Sequence, residues 1–415
     1  MVLSFRGPSR SDDAVAERLT IADRPWGTAA FGVPACSVPD AQGGRPEPLV
    51  AVLGGGQLGR MLALAGIPLG IGFRFLDPSP DATAGAVGLL VIGALGDETA
   101  LAHAVEGATV VTYEWEGVPA DGARFVVSTG TPVLPPPVAL DVAQDRVREK
   151  ELCRRLGIGT PDFAVVDDRA DLERAAKEVG LPAVLKTRRG GYDGKGQAAL
   201  AEPGDVERAW SQLGGVPLVL ESHVPFDREL SVLAVRGRDG ATACWPLVEN
   251  HHVGGILRRS LAPAPGVTER LQTTAERLVG QLLDELDYVG VLAIELFDVH
   301  GELLVNELAP RVHNSGHWTI EGAITSQFEN HLRAILGWPL GSTAAVGVNA
   351  MVNCVGALPD PGSVLAIPGA HFHDYAKAPR PGRKVGHVTI TAADADELRA
   401  PVARLAGLPG VDVPA

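Results

Sequence analysis

The stretch that most restricts the fold is a short apolar run that breaks directly into glycines. Leu49-Val50-Ala51-Val52-Leu53 is apolar throughout, and Gly54-Gly55-Gly56-Gln57-Leu58-Gly59-Arg60-Met61 follows it into an apolar helical pattern. A fully apolar strand is covered on both faces, as in a parallel sheet, and glycines allow the tight turn from strand to helix. Phe73-Arg74-Phe75-Leu76-Asp77 reads as a second strand ending in an acid, and Thr109 to Glu114 as a further one. This alternation predicts a parallel α/β domain over 48–145, closed by the proline-rich stretch Pro132 to Pro137. Residues 1–47 lack periodicity and read as a flexible extension, or as the product of an upstream start codon. They lack the continuous apolar core of a secretory signal.

The G-x-G-x-x-G turn with an acid at the end of the next strand is also the dinucleotide fingerprint, so a nicotinamide or flavin oxidoreductase is one reading. Many nucleotide and sugar-phosphate domains reuse such a turn, and the richer chemistry lies downstream. The formal net charge of −14 over 415 residues argues against nonspecific polyanion binding, so any phosphate site is local. Cys36, Cys153, Cys244 and Cys354 are widely spaced and form no C-x-x-C pair. That speaks against a disulfide scaffold or structural zinc and fits a reducing cytoplasm.

A second glycine-rich stretch follows Leu181-Pro182-Ala183-Val184-Leu185: Lys186-Thr187-Arg188-Arg189-Gly190-Gly191-Tyr192-Asp193-Gly194-Lys195-Gly196-Gln197. A lysine at a strand end followed by glycines suits a loop folding over phosphate. It is not a Walker loop, since no Gly-Lys-Ser/Thr opens a helix. The plain alternative is a hairpin turn with two solvated arginines. Around it, 146–238 reads as a small α+β lid. It has a charged helix from Asp145 to about Leu156, another over Asp171–Val179, and strands at Leu218–Glu221 and Glu229–Val235.

Residues 239–347 form a third unit, with a long helix from about Thr268 to Leu286 and a mostly helical stretch from Ile320 to Leu336. Between them, Tyr288 to Phe297 is an apolar strand interrupted by Glu295. Gly301 turns the chain into Leu303 to Leu308, which carries Asn306 and Glu307. Two acids and an amide oxygen on a hairpin form a hard donor set suited to Mg²⁺ held together with phosphates. An unpaired acid inside an apolar strand would otherwise be costly. Residues 348–415 read as a small, mostly β domain.

Lys186, the loop Gly191 to Gln197, Glu221, Glu229, Glu295 and Asn306-Glu307 together resemble the ATP-grasp superfamily. Four stretches in order narrow the resemblance to the 5-(carboxyamino)imidazole ribonucleotide synthases, the ATP-dependent carboxylating enzymes of purine biosynthesis. These are Gly56 to Met61, Gly190 to Gln197, Asn306 to His317 and Arg380 to His387. The resemblance covers about 48–408. It implies an ATP-grasp fold with a Rossmann-like N-terminal domain, a small lid and a small C-terminal domain. It also implies a cytoplasmic homodimer using Mg²⁺ or Mn²⁺, in which bicarbonate is phosphorylated to carboxyphosphate and the amine of 5-aminoimidazole ribonucleotide is carboxylated.

By position, the resemblance puts Arg146, Lys186, Gly191, Tyr192, Asp193, Gly194, Lys195, Gly196, Gln197, Glu221, Ser222, His223, Val224, Glu229, His252, Asn306 and Glu307 around ATP, with Glu295 and Glu307 on the metal. Gln57, Leu58, Glu114, Lys377, Arg383 and Lys384 would meet the ribonucleotide; Arg383 and Lys384 suit its phosphate. Arg311, Asn314, Ser315 and His317 would face bicarbonate and the imidazole, with Arg311 on the carboxyphosphate charge. Asp193, with Tyr192, would manage the amine proton. A lone histidine is more often structural, so His313 and His387 receive no acid–base role. Glu116 competes with Glu114, and His251 with His252. A formate-using glycinamide ribonucleotide transformylase, a biotin carboxylase and a silent relative are the other readings within the superfamily.

Overall fold

The computed structural model describes residues 47–191, 194–409 and 411. The expectations for residues 1–46 and for Tyr192 and Asp193 lie outside the described residues. The first sheet holds β1 (Leu49–Leu53), β2 (Gly72–Asp77), β3 (Leu89–Ile92) and β4 (Val110–Tyr113), all parallel, in the order β3-β2-β1-β4. Val50, Ala51, Val52 and Leu53 are buried, as an inner strand demands. The helix Gln57–Gly66 starts at the glycine turn.

The second sheet, β5-β8-β6-β7, is antiparallel: β5 (Phe163–Val166), β6 (Ala183–Thr187), β7 (Gln197–Leu200) and β8 (Leu218–Ser222). The second glycine stretch joins β6 to β7. It is therefore a hairpin loop in form, with Lys186 opposite Gln197 at its base.

The third sheet has nine strands. They are β9 (Arg228–Arg236), β10 (Thr242–Cys244), β11 (Val248–Val253), β12 (Ile256–Ala262), β13 (Gly290–Val299), β14 (Glu302–Ala309), β15 (Val348–Val355), β16 (Ala370–Asp374) and β17 (Lys384–Ala392). The order is β14-β13-β9-β11-β12-β15-β17-β16, with β10 on β9. Two sequence expectations shift here. The strand β9, expected in the lid, lies between β13 and β11 instead, because its apolar residues Leu230, Val232, Leu233, Ala234 and Val235 are buried in this sheet. And β15–β17, expected as a separate small domain, continue the same sheet beyond β12, with their own apolar cluster around Val352, Val388 and Ile390.

Local chemistry sets the remaining elements. The helix Arg146–Arg155 is capped by Asp145, whose carboxylate accepts from the Val147 and Arg148 N–H groups, and it ends before Gly157 at φ +69°. The helix Glu269–Glu285 lays Leu271, Leu278, Leu282 and Leu283 against β9 and β13. The stretch expected to be mostly helical from Ile320 to Leu336 is two helices, Thr319–Gly322 and Gln327–Leu336. Between them Ala323 is extended and bridges Ala345, and Ser326 caps the second helix by accepting from the Glu329 N–H. Buried His331 ties two sheets together, sharing a hydrogen bond with Thr112 of β4 at 2.9 Å and accepting from the Val291 N–H of β13.

Candidate active site

A cleft of about 1310 Å³ is lined by the segments that follow β1 and β4 and by residues of the second and third sheets, and most of the expected residues meet there. At one end stands the first glycine turn. Three of its backbone donors are already taken: Glu114 accepts from the Gly56 N–H at 2.7 Å and the Gly59 N–H at 2.8 Å, and Asp77 from the Gly55 N–H at 2.8 Å. In a dinucleotide-binding turn these donors face pyrophosphate. Here the chain's own carboxylates occupy the three glycine N–H groups, which weighs against the oxidoreductase reading. Glu114 therefore lines the cleft as an acid spent on backbone amides rather than as a free substrate-facing group. Burial lifts its pKa, against the pull of those two N–H groups. Gln57 accepts from the Lys377 ammonium, whereas the Leu58 side chain is buried in the core, leaving chiefly its backbone for a ligand. Glu116, the competing acid, pairs with the Arg311 guanidinium.

The second loop meets a group of cations. Lys186 donates to Glu221 at 2.8 Å, and Lys150 approaches the same carboxylate at 3.3 Å. Against the effect of burial, Lys150, Lys186 and Arg146 hold the Glu221 carboxyl down to about 2. Burial lowers the Lys186 pKa, and the neighbouring Arg146 and Lys150 lower it further, with Glu221 opposing. Glu149 contributes little negative charge, since burial pushes its carboxyl up to about 8. Cations crowded around too few anions favour an incoming polyanion such as a polyphosphate. Gly191, Gly194, Lys195, Gln197, Ser222, His223 and Val224 also line this end, as does His252, whose Nδ1 lies 2.8 Å from Glu229. Burial lowers the His252 pKa, but Glu229 and Glu295 outweigh it and raise it overall. Gly196 stands at φ +71° where its Cβ would meet Thr187.

Arg188 and Arg189, which the plain hairpin alternative would leave solvated, both donate to Asp145 and tie the loop to the start of the Arg146–Arg155 helix. Sequence reasoning missed Lys150 and Glu149. With Arg146 they recur three and four residues apart on one helix face, which was the available signal.

Glu295 and Glu307 sit directly opposite each other on β13 and β14, with a register shift after Glu295. Burial, reinforced by Glu307, pushes the Glu295 carboxyl up to about 7. Glu307 also accepts from Arg146 at 3.1 Å. Among the described residues the buried Asn306 Oδ1 has no hydrogen-bond partner. Two facing carboxylates and an orphaned amide oxygen fit a hard cation. Among the described residues no group of three or more His, Cys, Asp or Glu side chains surrounds a metal position. A donor set this small suits a cation whose other ligands are phosphate oxygens and water.

Arg311, His313 and Asn314 face the cleft, but Ser315 and His317 do not. Both are buried, so the expectation that they meet substrate is corrected. Ser315 bonds to His313 and Ser231. His317 is held through Nδ1 by Asn314 and by the Tyr375 hydroxyl, which also meets His387. Burial disfavours charge on Arg311, yet Glu116, Glu114 and Glu307 outweigh it and raise its pKa. Arg383 and Lys384 reach the cleft from a β-turn in which Pro381 presets one corner and Gly382, at φ +74°, takes the other.

The class follows from comparison with known families. Residues 151–328 match the ATP-grasp domain, 49–144 the ribonucleotide synthetase preATP-grasp domain, and 349–401 the phosphoribosylaminoimidazole carboxylase C-terminal domain. The fold is thus an ATP-grasp fold preceded by a parallel α/β domain. The N5-carboxyaminoimidazole ribonucleotide synthase of Pseudomonas aeruginosa is 54% identical over 359 residues, covering 86% of this chain and 99% of the relative. The Thermus thermophilus synthetase structure superposes with a TM-score of 0.85 at 57% identity, over 88% of this chain and 99% of the other. The Aspergillus clavatus synthase in complex with ADP and 5-aminoimidazole ribonucleotide gives 0.81 at 31% identity, covering 86% and 96%. The chain belongs to the N5-carboxyaminoimidazole ribonucleotide synthase family.

Proposed function

We propose that this protein carboxylates 5-aminoimidazole ribonucleotide to its N5-carboxyamino derivative, using ATP and bicarbonate and releasing ADP and phosphate, as an ATP-dependent carbon–nitrogen ligase of purine biosynthesis. The observation that carries the reading is a single cleft. It joins the cation-rich nucleotide end, the facing Glu295 and Glu307, and a second basic end formed by Arg311, Lys377, Arg383 and Lys384. The relatives named above support the same substrates.

In this reading Lys186, Lys150, Arg146 and the second glycine loop receive the triphosphate, with the 221–224 strap and Glu229 alongside. Glu295, Glu307 and Asn306 would hold Mg²⁺, or Mn²⁺ in its place, which neutralises phosphate charge when bound. A bicarbonate oxygen attacks the γ-phosphorus, the bond to the β-phosphate oxygen breaks, and ADP leaves. Arg311, which lines the cleft, would stabilise the charge of the carboxyphosphate formed. Carboxyphosphate then releases CO₂ and phosphate, and the exocyclic amine nitrogen bonds to the CO₂ carbon and loses a proton. Asp193, with Tyr192, keeps the role of proton acceptor as an expectation from sequence. Arg383 and Lys384 take the ribose 5′-phosphate, Arg383 in a bidentate manner. Leu58 through its backbone, Gln57 and Glu114 border the ribonucleotide. The family resemblance supports a homodimer in the cytoplasm. Among the described residues no helix is long and apolar enough to cross a membrane.

The test is ADP release with ATP, Mg²⁺ and bicarbonate, with and without 5-aminoimidazole ribonucleotide. Strong stimulation by the ribonucleotide is expected; equal rates with and without it would overturn the assignment.

A further inference from the structure

His313 presents its ring to the cleft, and a chain of buried polar groups runs up to that ring from the interior of the large sheet. The chain begins at Ser260 of β12, whose hydroxyl donates to Asn250 Oδ1 at 2.8 Å. Asn250 Nδ2 donates to the Ser231 hydroxyl of β9 at 3.0 Å. Ser231 donates to the Ser315 hydroxyl at 2.8 Å, and Ser315 Oγ lies 2.9 Å from His313 Nδ1. Ser231, Asn250, Ser260 and Ser315 are all at least 95% buried, so their polar atoms depend on one another for partners.

The direction of the chain follows from its fixed points. The Ser315 backbone N–H, which can only donate, points at His313 Nδ1 at 3.3 Å, so that nitrogen carries a lone pair. The Ser315 hydroxyl must therefore donate to Nδ1 and accept from Ser231. Ser231 in turn accepts from an amide nitrogen, which also can only donate. Each link agrees with the next, and the ring proton is left on Nε2. That nitrogen faces Glu295, 3.6 Å from Oε1. The backbone of His313 is pinned as well. Gln327 accepts from its N–H at 2.9 Å and donates to its carbonyl at 2.7 Å. Gly316 leaves the room for this clamp, since a Cβ there would lie 2.6 Å from Gln327 Oε1.

We propose that Ser260, Asn250, Ser231 and Ser315 form a one-way hydrogen-bond chain that fixes His313 as its Nε2–H tautomer, so that the cleft meets a hydrogen-bond donor at this position and not a base. The four are positioning residues acting through His313. Resting on the carboxylation reading above, the donor serves an anionic oxygen of the carboxy or phosphoryl group.

The experiment is nitrogen-15 NMR of the full-length protein labelled at histidine, without ligands, with the His313 signals assigned by their loss in His313→Gln. A single Nε2–H tautomer is expected. An Nδ1–H tautomer, or an averaged mixture, overturns the proposal whatever the variants do. In Ser231→Ala the hydroxyl of Ser315 loses its donor and is free to turn, which leaves only the longer 3.3 Å contact from the Ser315 N–H to hold the lone pair on Nδ1. An Nδ1–H population should emerge, and kcat should fall about twofold to tenfold, following the loss of competent tautomer, with KM for ATP little changed. Ser231→Thr, which keeps the hydroxyl, should restore both signals. A Ser231→Ala protein with unaltered tautomer and kcat also overturns it. The tautomer is read without substrate, so an incorrect carboxylation reading would show in the ADP assay and leave the NMR result intact.

Discussion

The two glycine-rich turns are alike in composition and differ in what surrounds their glycines. In the first, Glu114 and Asp77 occupy the N–H groups of Gly55, Gly56 and Gly59. Its glycines supply space, since a Cβ on Gly56 would lie 2.5 Å from Glu114 Oε1. In the second, the nearby acid Asp145 is engaged by Arg188 and Arg189 side chains and by its own helix start, not by the loop's glycines. There Gly190, Gly194 and Gly196 supply positive φ angles, and cations gather beneath the loop. The first turn thus uses its glycines to admit its own carboxylates, and the second uses them for backbone conformation beside a group of cations. Nothing in either motif alone records which case applies.

The contrast is broken most severely at the acids facing the second loop. Glu307→Gln keeps the shape and the β13–β14 pairing but removes half of the facing carboxylate pair. Turnover should fall by at least about a hundredfold, equivalent to ~2.7 kcal/mol of barrier, with circular dichroism unchanged. Near-normal turnover in a folded Glu307→Gln protein would take this acid out of the metal–nucleotide site.

What could be read from sequence divides by the range of the interactions involved. Glu295 and Glu307 were legible as a facing pair because one short hairpin sets their register. The parallel first sheet was legible because β1 is apolar at every position. Ser315 and His317 were misread as substrate-facing. Their burial depends on Ser231 of β9 and on Tyr375, distant in sequence from the loop they hold. The position of β9 was lost for the same reason: its alternation announces a strand, but its neighbours β11 and β13 are chosen by packing across the sheet. Glu114 was placed correctly near the cleft, yet its two bonds to the first turn arise only when β4 lies beside β1.

A smaller effect sharpens the comparison from the first turn. In Glu114→Gln the amide oxygen can accept from only one of the two N–H groups while its NH₂ opposes the other. An unsatisfied buried donor costs about 1–3 kcal/mol, so the urea midpoint should drop with an unchanged slope. KM for ATP should hold, because the proposed nucleotide site is at the other glycine loop. A large rise in KM for ATP with full stability would mean that the first turn, and not the second, serves the nucleotide.

The mildest test compares the glycines themselves. Gly56 has φ −79°, which any residue adopts, so Gly56→Ala is opposed only by the Glu114 carboxylate in its path. Gly190 has φ +74°, and among the described residues nothing lies within 4 Å of the point where a Cβ would stand, so Gly190→Ala meets no clash there and only backbone strain. That strain is about 1 kcal/mol, and Asn, which tolerates the left-handed region better, should cost less. Chemical denaturation of Gly56→Ala, Gly190→Ala and Gly190→Asn should therefore rank their losses in that order, with turnover retained in both Gly190 variants. If Gly190→Ala proved the most damaging, backbone strain in the second loop would outweigh the Glu114 clash in the first, and the ranking of a filled turn above an open one would fail.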